Sequence, residues 1–88
     1  MALIQEPIHI APEVLRCLSP QVATSLLTGR QLQLPGPMVW HEWGYESLDK
    51  GASTLVLLHG GSGSWTHWIR TVAPLVADGF HVLAVDLP

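Results

Sequence analysis

The feature that most constrains the fold is an apolar run that ends abruptly in a glycine-rich loop. Residues 54–58 read Thr-Leu-Val-Leu-Leu, and residues 59–64 follow as His-Gly-Gly-Ser-Gly-Ser. An apolar run without polar alternation is typical of a strand that is buried on both faces, inside a parallel sheet. Open α/β sheets bind their ligands at the carboxyl ends of such strands. We therefore expect this loop to carry the chemistry of the chain.

The residues after the loop predict a helix and a second buried strand. Apolar residues recur at steps of three and four over 65–76, which indicates a helix with one buried face, and Ser64 is a suitable cap for it. Pro74 lies inside this pattern, so we expect a kink or a break there. Residues 80–86 are again nearly all apolar and end in Asp86. The order strand, helix, strand predicts a βαβ unit with parallel strands.

Two short helices are expected near the amino terminus. Pro12 can occupy the first position of one helix, and Ser19 can cap a second helix that has Pro20 at its first position and ends at Gly29. Their apolar stripes predict that they cover a face or an edge of the sheet. Residues 1–10 show no usable periodicity and are expected to form an extended or poorly ordered arm.

A hairpin is expected between these helices and the buried strand. Residues 31–34 and 38–45 are strand-like, and the Pro-Gly-Pro of residues 35–37 suits a tight turn between antiparallel partners. His41 is interpreted as a surface residue of the second strand, since no metal-ligand spacing surrounds it. Residues 47–53 predict a plain turn. The aromatic residues of the hairpin are expected to pack, as strand aromatics commonly do; they are Trp40, Trp43 and Tyr45.

Composition excludes several classes of function. Apolar residues make up 48% of the 88 residues and charged residues only 12%, so the chain resembles the interior of something larger. The net charge is −3 and the four basic residues are scattered, which predicts no nucleic-acid partner. Cys17 is the single cysteine and cannot form an internal disulfide. Neither a secretion leader nor a membrane-spanning run is recognisable, so a cytoplasmic location is expected.

Two phosphate-binding interpretations of the loop fit poorly. A P-loop needs a lysine that reaches the phosphates, and the loop has none. A dinucleotide-binding turn needs three spaced glycines and an acid about 20 residues later. Gly61, Gly63 and Asp86 satisfy part of that pattern, but Thr66 occupies the third glycine position. A dinucleotide-binding segment therefore stays open as an alternative, and titration with NAD(P)H would detect it.

An oxyanion hole is the interpretation that suits the loop best. Acyl transfer and related hydrolyses develop negative charge on a carbonyl oxygen, and one fixed backbone N–H aimed at that oxygen is worth on the order of 3 kcal/mol. Glycines after a rigid strand let the chain turn sharply and expose its N–H groups.

The residues in and after the loop resemble those of a known family. The stretch 57–65, with Trp68 and the Val-Asp-Leu-Pro of residues 85–88, is similar to the amino-terminal part of the α/β-hydrolase superfamily, in which a His-Gly loop follows the third strand. The resemblance covers residues 31–88. It implies an α/β fold in which a β-hairpin precedes a parallel βαβ unit, as the amino-terminal and incomplete part of a hydrolase domain. Residues 1–30 would then form an arm with short helices.

The resemblance also implies roles for the loop residues. The backbone N–H of Gly61 would be one donor of the oxyanion hole, and Ser62 and Trp65 would line the substrate cavity. The loop itself would be supported by three residues, which are His59, Gly60 and Gly63. No metal and no cofactor is implied, and the partner would be a small-molecule substrate of the full-length enzyme, with an oligomeric state that the residues do not indicate.

The catalytic residues of the family are not recognisable in these 88 residues. The nucleophile elbow is Gly-x-Ser-x-Gly, and the loop has Ser64 where the closing glycine belongs. We expect a hydrolase fragment for an ester-like or related bond that is inactive alone, or else a non-catalytic interaction module. The strand at 82–85 is expected to remain an unpaired apolar edge, so that the isolated chain is aggregated or molten.

Overall fold

The computed structural model describes residues 4–33, 38–60 and 63–86. Its strands and helices alternate in the manner of a mixed α/β fold, and the five strands of the described residues form one sheet in the order β1-β2-β3-β5-β4. The elements are β1 (Ile4–Pro7), α1 (Pro12–Arg16), α2 (Pro20–Leu27), β2 (Arg30–Gln33), β3 (Val39–Trp43), a 3₁₀ helix (Tyr45–Lys50), β4 (Thr54–Leu58), a 3₁₀ helix (Trp65–Trp68), α3 (Ile69–Ala77) and β5 (His81–Asp86).

The sheet is antiparallel on one side and parallel on the other. Strands β1, β2 and β3 pair antiparallel in chain order, and β3 pairs antiparallel with β5. Strand β4 pairs parallel with β5, with Leu55 opposite Val82, and α3 connects the two. The antiparallel β2–β3 pair was predicted, and its Pro-Gly-Pro turn lies outside the described residues. Strand β1 was not predicted, because a four-residue edge strand with polar residues carries no periodic pattern.

The position of the two parallel strands corrects two expectations. Strand β5 lies between β3 and β4, so the prediction that residues 82–85 form an unpaired edge is wrong. Among the described residues the two edge strands are β1 and β4. The residues of β4 alternate between exposed and half-buried, so this strand is not buried on both faces. The physical reason is that Val56 and Leu58 lie on the face of β4 that is turned away from the core, and they are 52% and 58% exposed.

The predicted helix signals mostly correspond to real helix boundaries. The Ser19 side chain accepts a hydrogen bond from the Val22 N–H, with Pro20 at the first position of α2. Helix α3 continues through Pro74, so of the expected kink or break the break is wrong and the kink stays a prediction. Proline has a φ that suits a helix, and the buried Ile69 and Val72 hold this short helix against the core. No helix within the described ranges is long and apolar enough to cross a membrane.

The core lies between the helices and one face of the sheet. Trp43 is fully buried at its centre, and its Nε1–H donates to the Leu26 carbonyl oxygen at 2.8 Å. This confirms the prediction that Trp43 packs. Gly29 lies directly against the Trp43 indole, and a Cβ at that position would overlap the ring. The other members of the buried cluster are Ile8, Trp65, Ile69, Val72, Val82 and Ala84.

The segment between β3 and β4 is more ordered than the predicted turn. A 3₁₀ helix occupies Tyr45–Lys50, and it is bounded by two glycines in the left-handed region, Gly44 with φ 72° and Gly51 with φ 81°. At such φ values a side chain would be strained, so glycine is required to end β3 sharply. Tyr45 therefore begins this helix and does not extend β3.

Candidate functional site

The glycine loop lies at the carboxyl end of β4, as predicted. The Gly63 N–H donates to the Gly60 carbonyl oxygen at 3.0 Å. Strand β5 is parallel to β4 and ends beside it, with Leu58 opposite Val85. Gly61 and Ser62 lie outside the described residues. Their assignment as oxyanion donor and substrate contact stays a prediction.

His59 is buried at the base of the loop. Its side chain is 7% exposed, and Nδ1 lies 2.5 Å from the Gly60 carbonyl oxygen. Because a carbonyl oxygen only accepts, Nδ1 carries the proton of this hydrogen bond. The ring also meets the His67 ring edge to face, with centroids 6.4 Å apart. These contacts support a structural role for His59, which stays a prediction.

The two described glycines of the loop differ in what surrounds them. A Cβ on Gly63 would overlap the His67 imidazole, whereas a Cβ on Gly60 would meet open space. Glycine at position 63 therefore permits a close approach between the loop and the following 3₁₀ helix. Packing against the described residues therefore does not require glycine at position 60.

A carboxylate from β5 fixes the exit of the loop. The Trp65 backbone N–H donates to Asp86 Oδ1 at 2.8 Å, while the Ser64 hydroxyl accepts from the Thr66 N–H at 3.3 Å. The predicted capping by Ser64 is thus confirmed, although the helix that it caps begins as a 3₁₀ turn. The link from Asp86 to the loop was missed. The sequence indicates an acid at the end of a strand, but the partner lies 21 positions away.

The Trp65 side chain belongs to the core. It is 5% exposed. Its ring stacks on the His41 ring with centroids 4.6 Å apart, and its centroid lies 5.4 Å from that of the Trp43 ring. Its remaining exposed edge is small, and the assignment of Trp65 to the lining of a substrate cavity stays a prediction. The main-chain hydrogen bond to Asp86 and the buried ring together hold the start of the 3₁₀ helix in place.

His41 is buried, and its prediction as a surface residue is wrong. It is 3% exposed because it shares the helix-covered face of the sheet with Trp43, two residues along β3. Its Nδ1 lies 3.3 Å from the Ala84 carbonyl oxygen. Burial lowers the pKa of His41 below its ordinary value, and the Asp86 charge and the Ala84 hydrogen bond offset part of that effect. The imidazole is thus favoured in its neutral form.

A second polar cluster lies on the opposite face of the sheet, and sequence reasoning missed it. Glu42 accepts at Oε1 from Arg30 Nε at 2.5 Å and lies 2.6 Å at Oε2 from His81 Nε2. His81 Nδ1 lies 2.8 Å from Thr54 Oγ1, and the Arg30 guanidinium sits 4.0 Å above the Tyr45 ring. The cluster joins β2, β3, β5 and the amino end of β4. It is a cross-strand network that meets β4 at Thr54, the end of the strand opposite the glycine loop.

The described part of the chain forms neither a pocket nor a metal site. No group of three or more potential ligands (histidine, cysteine or carboxylate) is close enough to hold a metal ion among these residues, and no cavity is enclosed by them. Among the described residues, the loop therefore provides main-chain groups at the end of a strand, and no cavity surrounds them.

Comparison with known proteins relates half of the chain to hydrolases. It is 40% identical over 47 residues to 2-hydroxy-6-oxononadienedioate/2-hydroxy-6-oxononatrienedioate hydrolase 2 of Pseudomonas putida. The matched segment covers 50% of this chain and 16% of the relative. Proteins named as the same hydrolase are 51% identical over 41 residues in Cupriavidus pinatubonensis, covering 43% of this chain and 14% of the relative, and 42% identical over 45 residues in Paraburkholderia xenovorans, covering 48% and 16%.

These matches are partial in both directions. The matched segment spans about one-sixth of the length of these relatives. No protein-family model matches the chain, and no solved structure matches it. What the comparisons establish is a relationship between half of this chain and one part of several proteins that are named hydrolases.

Proposed function

We propose that the chain is the amino-terminal portion of an α/β-fold hydrolase and that its contribution to the enzyme is the oxyanion loop. The observation that carries the proposal is the similarity to proteins named hydrolases, at 40% identity over 47 residues for the Pseudomonas putida relative. The position of the glycine loop supports it, because the loop follows β4 at the carboxyl end of the parallel strands.

The chemistry of the loop would be stabilisation of negative charge on a carbonyl oxygen. The compounds in the names of the relatives carry an oxo group, and hydrolysis beside a carbonyl places charge on that oxygen. The Gly61 N–H would donate to it, whether the carbonyl belongs to a ketone or to an ester. We therefore propose a small-molecule substrate with an ester-like or related bond.

The contacts on either side of Gly61 support this assignment. His59 is bonded to the Gly60 carbonyl before it, and Asp86 holds the Trp65 N–H after it. A donor helps a transition state most when it is fixed before the reaction begins, since no reorganisation is then needed. The two anchors would supply that rigidity from β4 and from β5.

The isolated chain should not turn over substrate. The 88 residues hold no Gly-x-Ser-x-Gly elbow, so the nucleophile must come from other polypeptide. We expect the purified chain to hydrolyse p-nitrophenyl esters no faster than buffer does. Saturable hydrolysis by the isolated chain would overturn the proposal that the nucleophile comes from other polypeptide.

A chimera tests the proposed function directly. In the chimera, this chain replaces the corresponding amino-terminal portion of the Pseudomonas putida hydrolase. Gly61→Pro removes the backbone N–H, and we expect it to lower kcat about 10²- to 10³-fold, the loss typical of one oxyanion donor. Gly61→Ala keeps the N–H and serves as the matched control. Equal activity of the two variants in an active chimera would contradict the proposal.

A further inference from the structure

Three side chains of the cross-strand network form a hydrogen-bonded series that ends at an exposed hydroxyl. Thr54 begins β4 and is exposed, and its Oγ1 lies 2.8 Å from His81 Nδ1. The other ring nitrogen of His81, Nε2, lies 2.6 Å from Glu42 Oε2. His81 and Glu42 are only 5% and 6% exposed, so the two groups behind the hydroxyl are shielded from water.

The partners of His81 determine which atom donates in each hydrogen bond. The oxygen atoms of a carboxylate only accept, so His81 Nε2 carries the proton of its bond to Glu42. In the neutral imidazole Nδ1 is then the acceptor, and the Thr54 hydroxyl donates to it. Arg30 Nε donates to the other Glu42 oxygen and helps to fix the carboxylate. The hydroxyl therefore faces a base that a third group orients.

A hydroxyl, an imidazole and a carboxylate in this order form the arrangement that activates a nucleophilic hydroxyl. Such a constellation is recognised by its geometry and by the roles of its members, and it occurs on unrelated folds. Both distances lie within the reach that proton transfer needs. The three residues come from β4, β5 and β3, which are adjacent strands of one sheet, so the backbone holds them in register.

We propose that Thr54 is an acyl-acceptor site, with His81 as its general base and Glu42 as the positioning residue of that base. The acyl donor is an ester with a good leaving group, such as an aryl ester. The site is separate from the proposed oxyanion loop, because Thr54 lies at the amino end of β4 and the loop follows the carboxyl end of that strand.

The reaction is a single acyl transfer. Thr54 Oγ1 attacks the carbonyl carbon of the ester while its proton passes to His81 Nδ1. A bond forms between Oγ1 and that carbon, and the bond from the carbon to the leaving oxygen breaks. The leaving group departs with the bonding electron pair and takes the proton from His81, which returns to its neutral form. A threonine alkoxide leaves far less readily than a phenolate, so the ester on Thr54 persists and one equivalent of phenol is released without turnover.

Acetylation by p-nitrophenyl acetate tests the proposal. The chimera is treated with the ester and digested with trypsin, which releases residues 51–70 as one peptide apart from the elbow serine of the relative. Ser53 is the internal control, because it is an exposed hydroxyl next to Thr54. We expect Thr54 to be acetylated at least about 100-fold faster than Ser53, which is the smaller of the effects typical of a general base. No acetyl group on Thr54, or equal rates at the two hydroxyls, would overturn the inference.

Substitutions in the network separate the chemistry from packing. Thr54→Ser keeps the hydroxyl and should keep its preference over Ser53, whereas Thr54→Val keeps the shape and should carry no acetyl group at position 54. Acetylation of the 51–70 peptide of Thr54→Val at the parent rate would identify another acceptor and overturn the inference. Glu42→Gln should lower the ratio of the Thr54 rate to the Ser53 rate about tenfold. An unchanged ratio would overturn the positioning role of Glu42.

A loop variant shows whether the two sites are independent. Gly61→Pro is expected to lower kcat of the chimera, but it should leave the acetylation rate of Thr54 unchanged. This result would uphold the acyl-acceptor site whether or not the oxyanion loop functions as proposed. Loss of Thr54 acetylation in Gly61→Pro would show that the label depends on the loop, and it would overturn a separate site at Thr54.

Discussion

His41 places a titratable imidazole in an aromatic part of the core. Because burial lowers its pKa in the folded chain, the unfolded chain takes up a proton at higher pH than the folded chain does. His41 therefore contributes stability that is present above its ordinary pKa of about 6.5 and is lost as the pH falls through the lowered value. We expect the urea midpoint of the chimera to fall between about pH 7 and pH 5.

His41→Phe is the variant that isolates this effect. It keeps a flat ring against Trp65 but cannot titrate, so the pH dependence of the urea midpoint should become flatter than that of the parent chimera. The comparison is made between the two proteins at each pH, so that every other pH-dependent group contributes equally to both. An identical slope for the variant and the parent would contradict the prediction.

Gly29 and Gly63 are two positions at which an aromatic ring lies directly against the glycine backbone. Gly29→Ala would drive a methyl group into the Trp43 indole, which is fully buried and held by its bond to the Leu26 carbonyl. We expect it to lower the free energy of unfolding of the chimera by about 1–3 kcal/mol. Gly63→Ala meets the exposed His67 ring, which can rotate away, and should cost less than about 0.5 kcal/mol. Similar costs in urea unfolding would show that the interpretation is wrong.

The sequence indicates which residue types pack, but the partners of a residue depend on strand register. Trp43 was predicted to pack because aromatic residues of strands usually do. His41 was placed on the surface because no metal-ligand spacing surrounds it, although it lies two residues from Trp43 and therefore on the same face of β3. The covering ring comes from Trp65 and the hydrogen-bond acceptor from Ala84, 43 positions away. No local pattern contains that information.

At the scale of elements, the bond from Asp86 to Trp65 connects the end of β5 to the helix that follows the loop. Asp86→Ala leaves the Trp65 N–H without its charged acceptor and should lower the stability of the chimera by about 1.5 kcal/mol, together with kcat. Asp86→Asn keeps an acceptor oxygen and should lose less of both. Asp78→Ala, at an exposed position after α3, is the control and should change neither.

The kinetic result distinguishes positioning from simple stability. If Asp86 only stabilised the fold, kcat measured well below the melting temperature would stay at the parent value. A lower kcat in Asp86→Ala that Asp86→Asn partly restores is expected if the carboxylate positions the loop. Unchanged kcat in a less stable chimera would exclude that positioning.

The boundaries of helices and strands could be predicted where the signal is local. The order of the strands in the sheet could not be predicted. The cap and first position of α2 follow from Ser19-Pro20, since each residue acts within one helical turn. The glycine loop was placed correctly because an apolar run and a loop are adjacent in the chain. Which side of β4 receives β5 depends on the whole sheet, and so the identity of the edge strand was predicted wrongly.

At the scale of the whole molecule, the uncovered face of β4 predicts how the isolated chain behaves. A small domain buries a small fraction of its surface, so its stability is marginal. Here Val56 and Leu58 remain exposed on an edge strand that carries no charge to repel another strand. An apolar edge of this kind can pair with the same edge of another copy of the chain. We therefore expect the purified chain to scatter light increasingly with concentration, to bind a hydrophobic dye and to melt over a broad range.

The same argument predicts a change on assembly. In the chimera with the Pseudomonas putida hydrolase, dye binding should be lower and the melting transition sharper than for the chain alone, provided that the added polypeptide removes this apolar surface from water. Leu58→Asp should reduce scattering by the chain alone, since a carboxylate on the exposed face opposes strand addition, and Leu27→Asp should leave it unchanged. A sharp melting transition of a monomer that does not vary with concentration would contradict this account, because it would show that the exposed face of β4 needs no partner for cooperative folding.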